Sequence, residues 1–242
     1  MNSHVGFETI NGKKVFNILT QSDSTAKNLV IMSHGFRGSS IGPARTFVDF
    51  ESILTKNGFC TLRFDQPNSG NSEGNYVNSS FNEWVQTISY FAQKYLNLGY
   101  RVALLGQSMG ASATMIAASS NELHEKIPCI MLWVPDPESD YVNQENEIGE
   151  EAGQKYPETF WQEARDANFF ASLEKYHAGI HLVYGEHDRY IQEELRNKVI
   201  ERMQVKHQPF MVLPGQDHSP WDFDQAQRVY DEELNFLKEY FK

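Results

Sequence analysis

From residue 28 onward the chain returns repeatedly to short, mostly unbroken apolar runs: NLVIMSH (28–34), GFCTLRF (58–64), RVALLG (101–106), IPCIMLWV (127–134), GIHLVYG (179–185) and QPFMVLPG (208–215). A strand that faces water on one side alternates apolar with polar residues, whereas one covered on both faces need not. Such runs call for helices on both faces of a mostly parallel sheet. Between Phe81 and Leu96, the residues Phe81, Trp84, Val85, Ile88, Phe91, Ala92, Tyr95 and Leu96 form one helical stripe, opened after Ser79-Ser80 and closed at Gly99. Ala226, Val229, Tyr230, Leu237 and Phe241 repeat the stripe near the C-terminus. VGFETI (5–10) and KVFNIL (14–19) read as an antiparallel hairpin at the N-terminal edge. The expected fold class is therefore α/β, a doubly wound and mostly parallel sheet of about eight strands.

One stretch breaks the rhythm. Between Val134 and His177 some forty residues carry no strand-like run, more than a plain connection needs. We read it as a short helical cap inserted at about 135–177 into a single domain spanning 1–242. Its eleven acids (Asp136, Glu138, Asp140, Glu145, Glu147, Glu150, Glu151, Glu158, Glu163, Asp166, Glu174) face three bases (Lys155, Arg165, Lys175), a net −8 of the chain's −11. Such a cluster reads either as a solvated outer face or as a field that disfavours anionic substrates. Within it, Phe160, Trp161, Phe169 and Phe170 recur at helical spacing, as packing of a cap onto the body requires.

The net charge argues against a nucleic-acid backbone or an anionic membrane surface as partner, and no basic stripe offsets it. The opening MNSHVGFETINGKK has no apolar core of a signal peptide, and IPCIMLWV is too short for a membrane span. Cys60 and Cys129 each lie inside a strand-like run without metal-type spacing, so they read as buried reduced thiols. A cytoplasmic protein with no metal and no cofactor is expected.

LLGQSMGAS (104–112) sets Ser108 between Gly106 and Gly110, after an apolar run and before a string of small residues. A serine on a sharp strand-to-helix turn needs tiny neighbours two before and two after it, so that strand and helix can approach. The helix N-terminus beneath it offers N–H groups to developing negative charge. A serine hydroxyl needs a base, and His218 in PGQDHSPW follows the last strand, where the loop returns to the strand tips. The base needs a carboxylate to fix its tautomer. Asp188, just past IHLVYG, is the candidate, with Glu186 as near rival; Asp217 is adjacent to His218 and badly placed to reach its Nδ1. An oxyanion hole should come from the backbone N–H of Met109 and of Phe36, each such donor being worth about 3 kcal/mol. His34, Trp133 and Trp161 are candidates for contact with substrate, though His34 reads better as a residue that shapes its loop.

These residues carry a resemblance. His34-Gly35-Phe36, Gly106-Gln107-Ser108-Met109-Gly110, Gly185-Glu186-His187-Asp188 and Asp217-His218 resemble the α/β-hydrolase pattern over essentially the whole chain. Within it the chain is similar to small-cap serine esterases of the feruloyl (cinnamoyl) esterase and carboxylesterase type. A further family loop, D-x-R-G-x-G-x-S, stands here as DQPNSGNS: Asp65, Gly70 and Ser72 match, while Pro67 and Asn68 replace the usual Arg and Gly. The resemblance implies a serine hydrolase of small-molecule carboxylic esters, with Ser108, Asp188 and His218 as its triad. A thioesterase or acyltransferase would use the same residues, and a catalytically silent binding protein is the alternative of another class. A homodimer is left open.

Overall fold

The computed structural model describes residues 2–23, 25–138, 147–151 and 153–242. Two acids of the insertion, Asp140 and Glu145, lie outside them. The strands of the main sheet are β1 (Asn2–Ile10), β2 (Lys13–Gln21), β3 (Asn28–Ser33), β4 (Cys60–Phe64), β5 (Arg101–Gln107), β6 (Cys129–Trp133), β9 (Gly179–Gly185) and β10 (Phe210–Leu213). They lie in the order β1-β2-β4-β3-β5-β6-β9-β10. β2 pairs antiparallel with β1 and β4, and every other pairing is parallel. β3 to β6 and β9 are almost wholly buried, as unbroken apolar runs require.

Helices cover both faces. α1 (Thr46–Lys56) and α7 (Phe223–Tyr240) pack together on one side, with Phe50 stacked on Tyr230 at 5.3 Å. α2 (Phe81–Asn97), α3 (Met109–Ala118) and α5 (Phe169–Lys175) pack on the other, and α6 (Glu193–Val205) carries the chain from β9 to β10. α2 begins where its sequence says it should: Ser80 Oγ accepts the N–H of Glu83 at 3.1 Å. Among the described residues no helix is long and apolar enough to cross a membrane.

The insertion differs from a purely helical cap. It holds an antiparallel hairpin, β7 (Ile148–Glu151) and β8 (Gln154–Pro157), followed by α4 (Thr159–Asp166) and then α5. No apolar run announces the hairpin. Its strands have four residues each, Ile148 is exposed, and the chain reverses at Gly153 with φ +78°. Besides the antiparallel ladder, Tyr156 lies across Gly149, where a Cβ would come within 2.4 Å of the ring. The stripe FWQEARDANFF is likewise two helices: Asn168 breaks it at φ 56° and caps α5 by accepting the N–H of Ala171 at 3.0 Å.

Candidate active site

The carboxyl ends of β3, β5, β6, β9 and β10 converge, and their loops carry the residues of interest, as expected for an open parallel sheet. Ser108 follows β5 at φ 55°, ψ −129°, a conformation that a non-glycine residue adopts only where its surroundings over-determine it. The surroundings do. Its N–H donates to Trp133 O at 2.8 Å. A Cβ on Gly106 would lie 2.4 Å from Gly110 O, and one on Gly110 would lie 2.2 Å from His34 O, both immovable backbone. The elbow closes only with glycine at both places.

His218 Nδ1 donates to Asp188 Oδ2 at 2.7 Å, and Ser108 Oγ stands 2.8 Å from His218 Nε2. With Nδ1 turned to the Asp188 carboxyl, Nε2 faces the serine hydroxyl, the orientation in which it can accept that proton. Asp188 is itself fixed, its Oδ1 accepting the N–H groups of Tyr190 and Ile191, each at 2.9 Å. Arg196 braces the same loop by donating to the carbonyls of Asp188 and Glu186, both at 2.9 Å. Glu186 turns elsewhere and accepts the N–H of Gly215 at 2.7 Å. Asp217 pairs with Arg189 and accepts the N–H of His218 at 2.7 Å. Burial works against its charge, but the guanidinium and N–H of Arg189 and the N–H of His218 outweigh that and hold its pKa down at about 2.

Met109 is the first residue of α3, ahead of the first bonds of the helix, in which Ala111 and Ser112 donate to Ser108 O. Its N–H and that of Phe36 have no hydrogen-bond partner among the described residues, and both residues line the cleft above Ser108. Gln107 ties this region together in a way its sequence did not announce. Its Oε1 accepts the N–H of Gly35 at 3.1 Å and its Nε2 donates to Ser219 Oγ at 2.8 Å, linking the β3 loop to the histidine loop.

The cleft has a volume of about 700 Å³ and is lined by Phe36, Met109, Trp161 and Ile191 together with Arg37, Asp136, Glu151 and Arg189. Of the three candidate substrate contacts, Trp161 is in this wall. The other two are not. His34 is fully buried, its Nδ1–H donating to Gly35 O at 2.8 Å while Nε2 accepts the N–H of Gln66 at 2.9 Å. Burial pushes its pKa below the ordinary value, against the Gly35 bond and the charge of Asp65, so it is a neutral brace for its loop. Trp133 points the other way, into the layer of α1 and α7, where it meets Phe47, Phe50 and Tyr230 and donates Nε1–H to Glu233 Oε1 at 2.7 Å. It serves the site through its carbonyl alone. Alternation along a strand separates Trp133 from Leu132, but both faces of β6 are buried, so the apolar pattern could not say which face was which.

In the DQPNSGNS loop, Asp65 and Asn68 fix the backbone at two places. Asp65 accepts the N–H groups of Ser40 at 2.6 Å and Asn71 at 2.7 Å. Asn68, standing where the pattern has Gly, takes φ +67°, a conformation that asparagine tolerates better than most residues. Among the described residues no three His, Cys, Asp or Glu side chains converge as a metal site requires.

The α/β hydrolase fold family model matches residues 28–218, from β3 through His218. No curated protein matches the chain significantly. Among solved structures, Est1E from Butyrivibrio proteoclasticus with ferulic acid bound superposes with a TM-score of 0.84 at 19% identity, over 97% of this chain and 98% of that one. A monoacylglycerol lipase of Paleococcus ferrophilus gives a TM-score of 0.77 at 16% identity, over 93% and 99%. An esterase of Pyrococcus furiosus gives 0.72 at 18%, over 98% and 90%. Identities this low carry the fold alone, and the fold agrees with the family match: the chain belongs to the α/β-hydrolase fold family.

Proposed function

We propose that the protein is a serine ester hydrolase acting on carboxylic esters of small to medium size through an acyl-enzyme on Ser108. The observation that carries this is the unbroken relay from Ser108 Oγ to His218 Nε2 at 2.8 Å and from His218 Nδ1 to Asp188 Oδ2 at 2.7 Å. In the reaction, Ser108 Oγ adds to the ester carbonyl carbon as its proton passes to His218 Nε2. The carbonyl electron pair moves onto oxygen, which takes the N–H groups of Phe36 and Met109. Collapse of this intermediate expels the alkoxide, and His218 protonates it. Water then gives a proton to His218 and adds to the acyl carbon; a second collapse releases the acid and returns the proton to Ser108 Oγ. Asp188 keeps the imidazolium oriented throughout.

The cleft supports a neutral substrate, since Arg37 and Arg189 balance Asp136 and Glu151 among its lining residues. Est1E with ferulic acid bound, a monoacylglycerol lipase and an esterase all superpose on this chain, which supports ester chemistry on this fold. Both cysteines are buried free thiols, which fits a reducing compartment such as the cytoplasm. The test is hydrolysis of p-nitrophenyl esters from acetate to laurate, and of methyl ferulate, by wild type and Ser108→Ala. Removal of a triad nucleophile costs on the order of 10⁶ in turnover. We expect wild-type activity that falls by that order in the variant; equal rates in the two would refute the assignment.

A further inference from the structure

The insertion does more than wall the cleft. Its packing converges on one side chain, that of Phe36, which lines the cleft together with Ser108. Four rings hold it: Tyr76 at 5.3 Å, Tyr156 of β8 at 5.0 Å, and Phe160 and Trp161 of α4 at 5.3 and 4.5 Å. Three of these four belong to the insertion. The next residue is held as firmly. Arg37 sits at φ 56°, its N–H donates to Tyr76 Oη at 2.6 Å, and its guanidinium meets Glu151 of β7 at 2.7 Å. α4 is in turn anchored to the body, since Glu163 accepts Ser80 Oγ–H at 2.7 Å and Asn82 N–H at 3.1 Å, and Phe160 packs against Trp84 at 5.0 Å.

Resting on the ester-hydrolase reading above, we infer that the hairpin β7–β8 and α4 are the outer half of the oxyanion site, with Tyr156 as a positioning residue that acts through Phe36. An oxyanion donor works only when it is already aimed at the place where charge will develop, and a backbone N–H on a loop is aimed only as well as the loop is held. The inner side of this loop is held by Gln107 through Gly35. The outer side has the rings and the Arg37–Glu151 pair. Tyr156 is the informative residue because it is buried against Phe36 and lies outside the residues that line the cleft. It also packs against Trp161 at 6.1 Å, so changing it perturbs the donor while removing no side chain that itself lines the cleft, and the butyrate readout reports any shift of the Trp161 wall.

The test compares wild type, Tyr156→Ala, Tyr156→Phe and Ser108→Ala in three readouts: kcat/KM on p-nitrophenyl butyrate, inhibition by an alkyl trifluoromethyl ketone, and binding of butyrate. The ketone adds Ser108 Oγ and places a negative oxygen where the oxyanion forms; butyrate reports ground-state binding. We expect Tyr156→Ala to lose about tenfold or more in both kcat/KM and ketone affinity, by the same factor, with butyrate affinity unchanged within about twofold. Tyr156→Phe, which keeps the ring, should restore both. Unchanged ketone affinity in Tyr156→Ala, a loss confined to butyrate binding, or failure of Tyr156→Phe to restore would each overturn the inference. Should Tyr156→Ala fail to fold, Tyr156→Leu retains more apolar volume than alanine and removes the ring face, and the same comparisons apply. Wild-type turnover by Ser108→Ala would identify failure of the underlying reading instead.

Discussion

Ser108 is held in a backbone conformation that it would not choose, and the two glycines around it are the physical reason it can stay there. Replacing Gly106 by Ala puts a methyl group against the backbone of Gly110 and Ala111. We expect this variant to lose at least about 3 kcal/mol in urea unfolding, because neither the strand nor the helix can move away. Beside His218, Asp217 gives a different test. Its carboxyl has a folded-state pKa of about 2 against an ordinary 3.8. A depressed pKa contributes stability above the unfolded value and loses it as pH falls through the folded one. Wild type should therefore lose its stability margin over Asp217→Asn between about pH 4 and pH 2, read as the difference in Tm across that range; a constant margin would contradict the pairing. Ser108, Asp188 and His218 were legible one by one as candidates, because each follows an apolar run. Gln107 was not, because nothing in a lone glutamine shows that its amide will reach two loops at once.

Among the elements, the sheet and the longer helices follow directly from periodicity, and the insertion does not. β7 and β8 pair as a short antiparallel ladder with a tyrosine laid over a glycine and no apolar alternation, a contact that becomes visible only in three dimensions. Trp133 makes the same point from inside the sheet. A tryptophan one residue from the end of an apolar run, near an expected cleft, reads as a substrate contact; its side chain instead joins β6 to α7 through Glu233. Glu233 is fully buried and also meets His181 Nδ1 at 3.0 Å. Trp133→Phe removes the indole donor and leaves a buried carboxylate oxygen short of a partner, at a cost of about 1–3 kcal/mol. We expect a lowered Tm with KM unchanged for small esters. A raised KM at undiminished Tm would return Trp133 to the cleft.

At the scale of the molecule, the charge is unevenly spread: the insertion carries most of a net −11, while the charged residues lining the cleft balance. An anionic ester approaches through the field of the insertion, whereas a neutral one does not feel it. Monoesters of a dicarboxylic acid should thus be hydrolysed more slowly than their neutral diesters at low salt, and the gap should narrow as ionic strength rises through about 0.1 M. Equal rates at every salt concentration would mean that the acids form only a solvated outer face. Fold, charge and cleft all serve one claim, that Ser108 is an activated nucleophile. The measurement that tests it most directly is labelling of the intact protein with a fluorophosphonate, followed by mass analysis of the whole chain and of its peptides. The account predicts one adduct per chain, on Ser108, formed far more slowly in His218→Ala. No adduct, or an adduct on another residue, would contradict it.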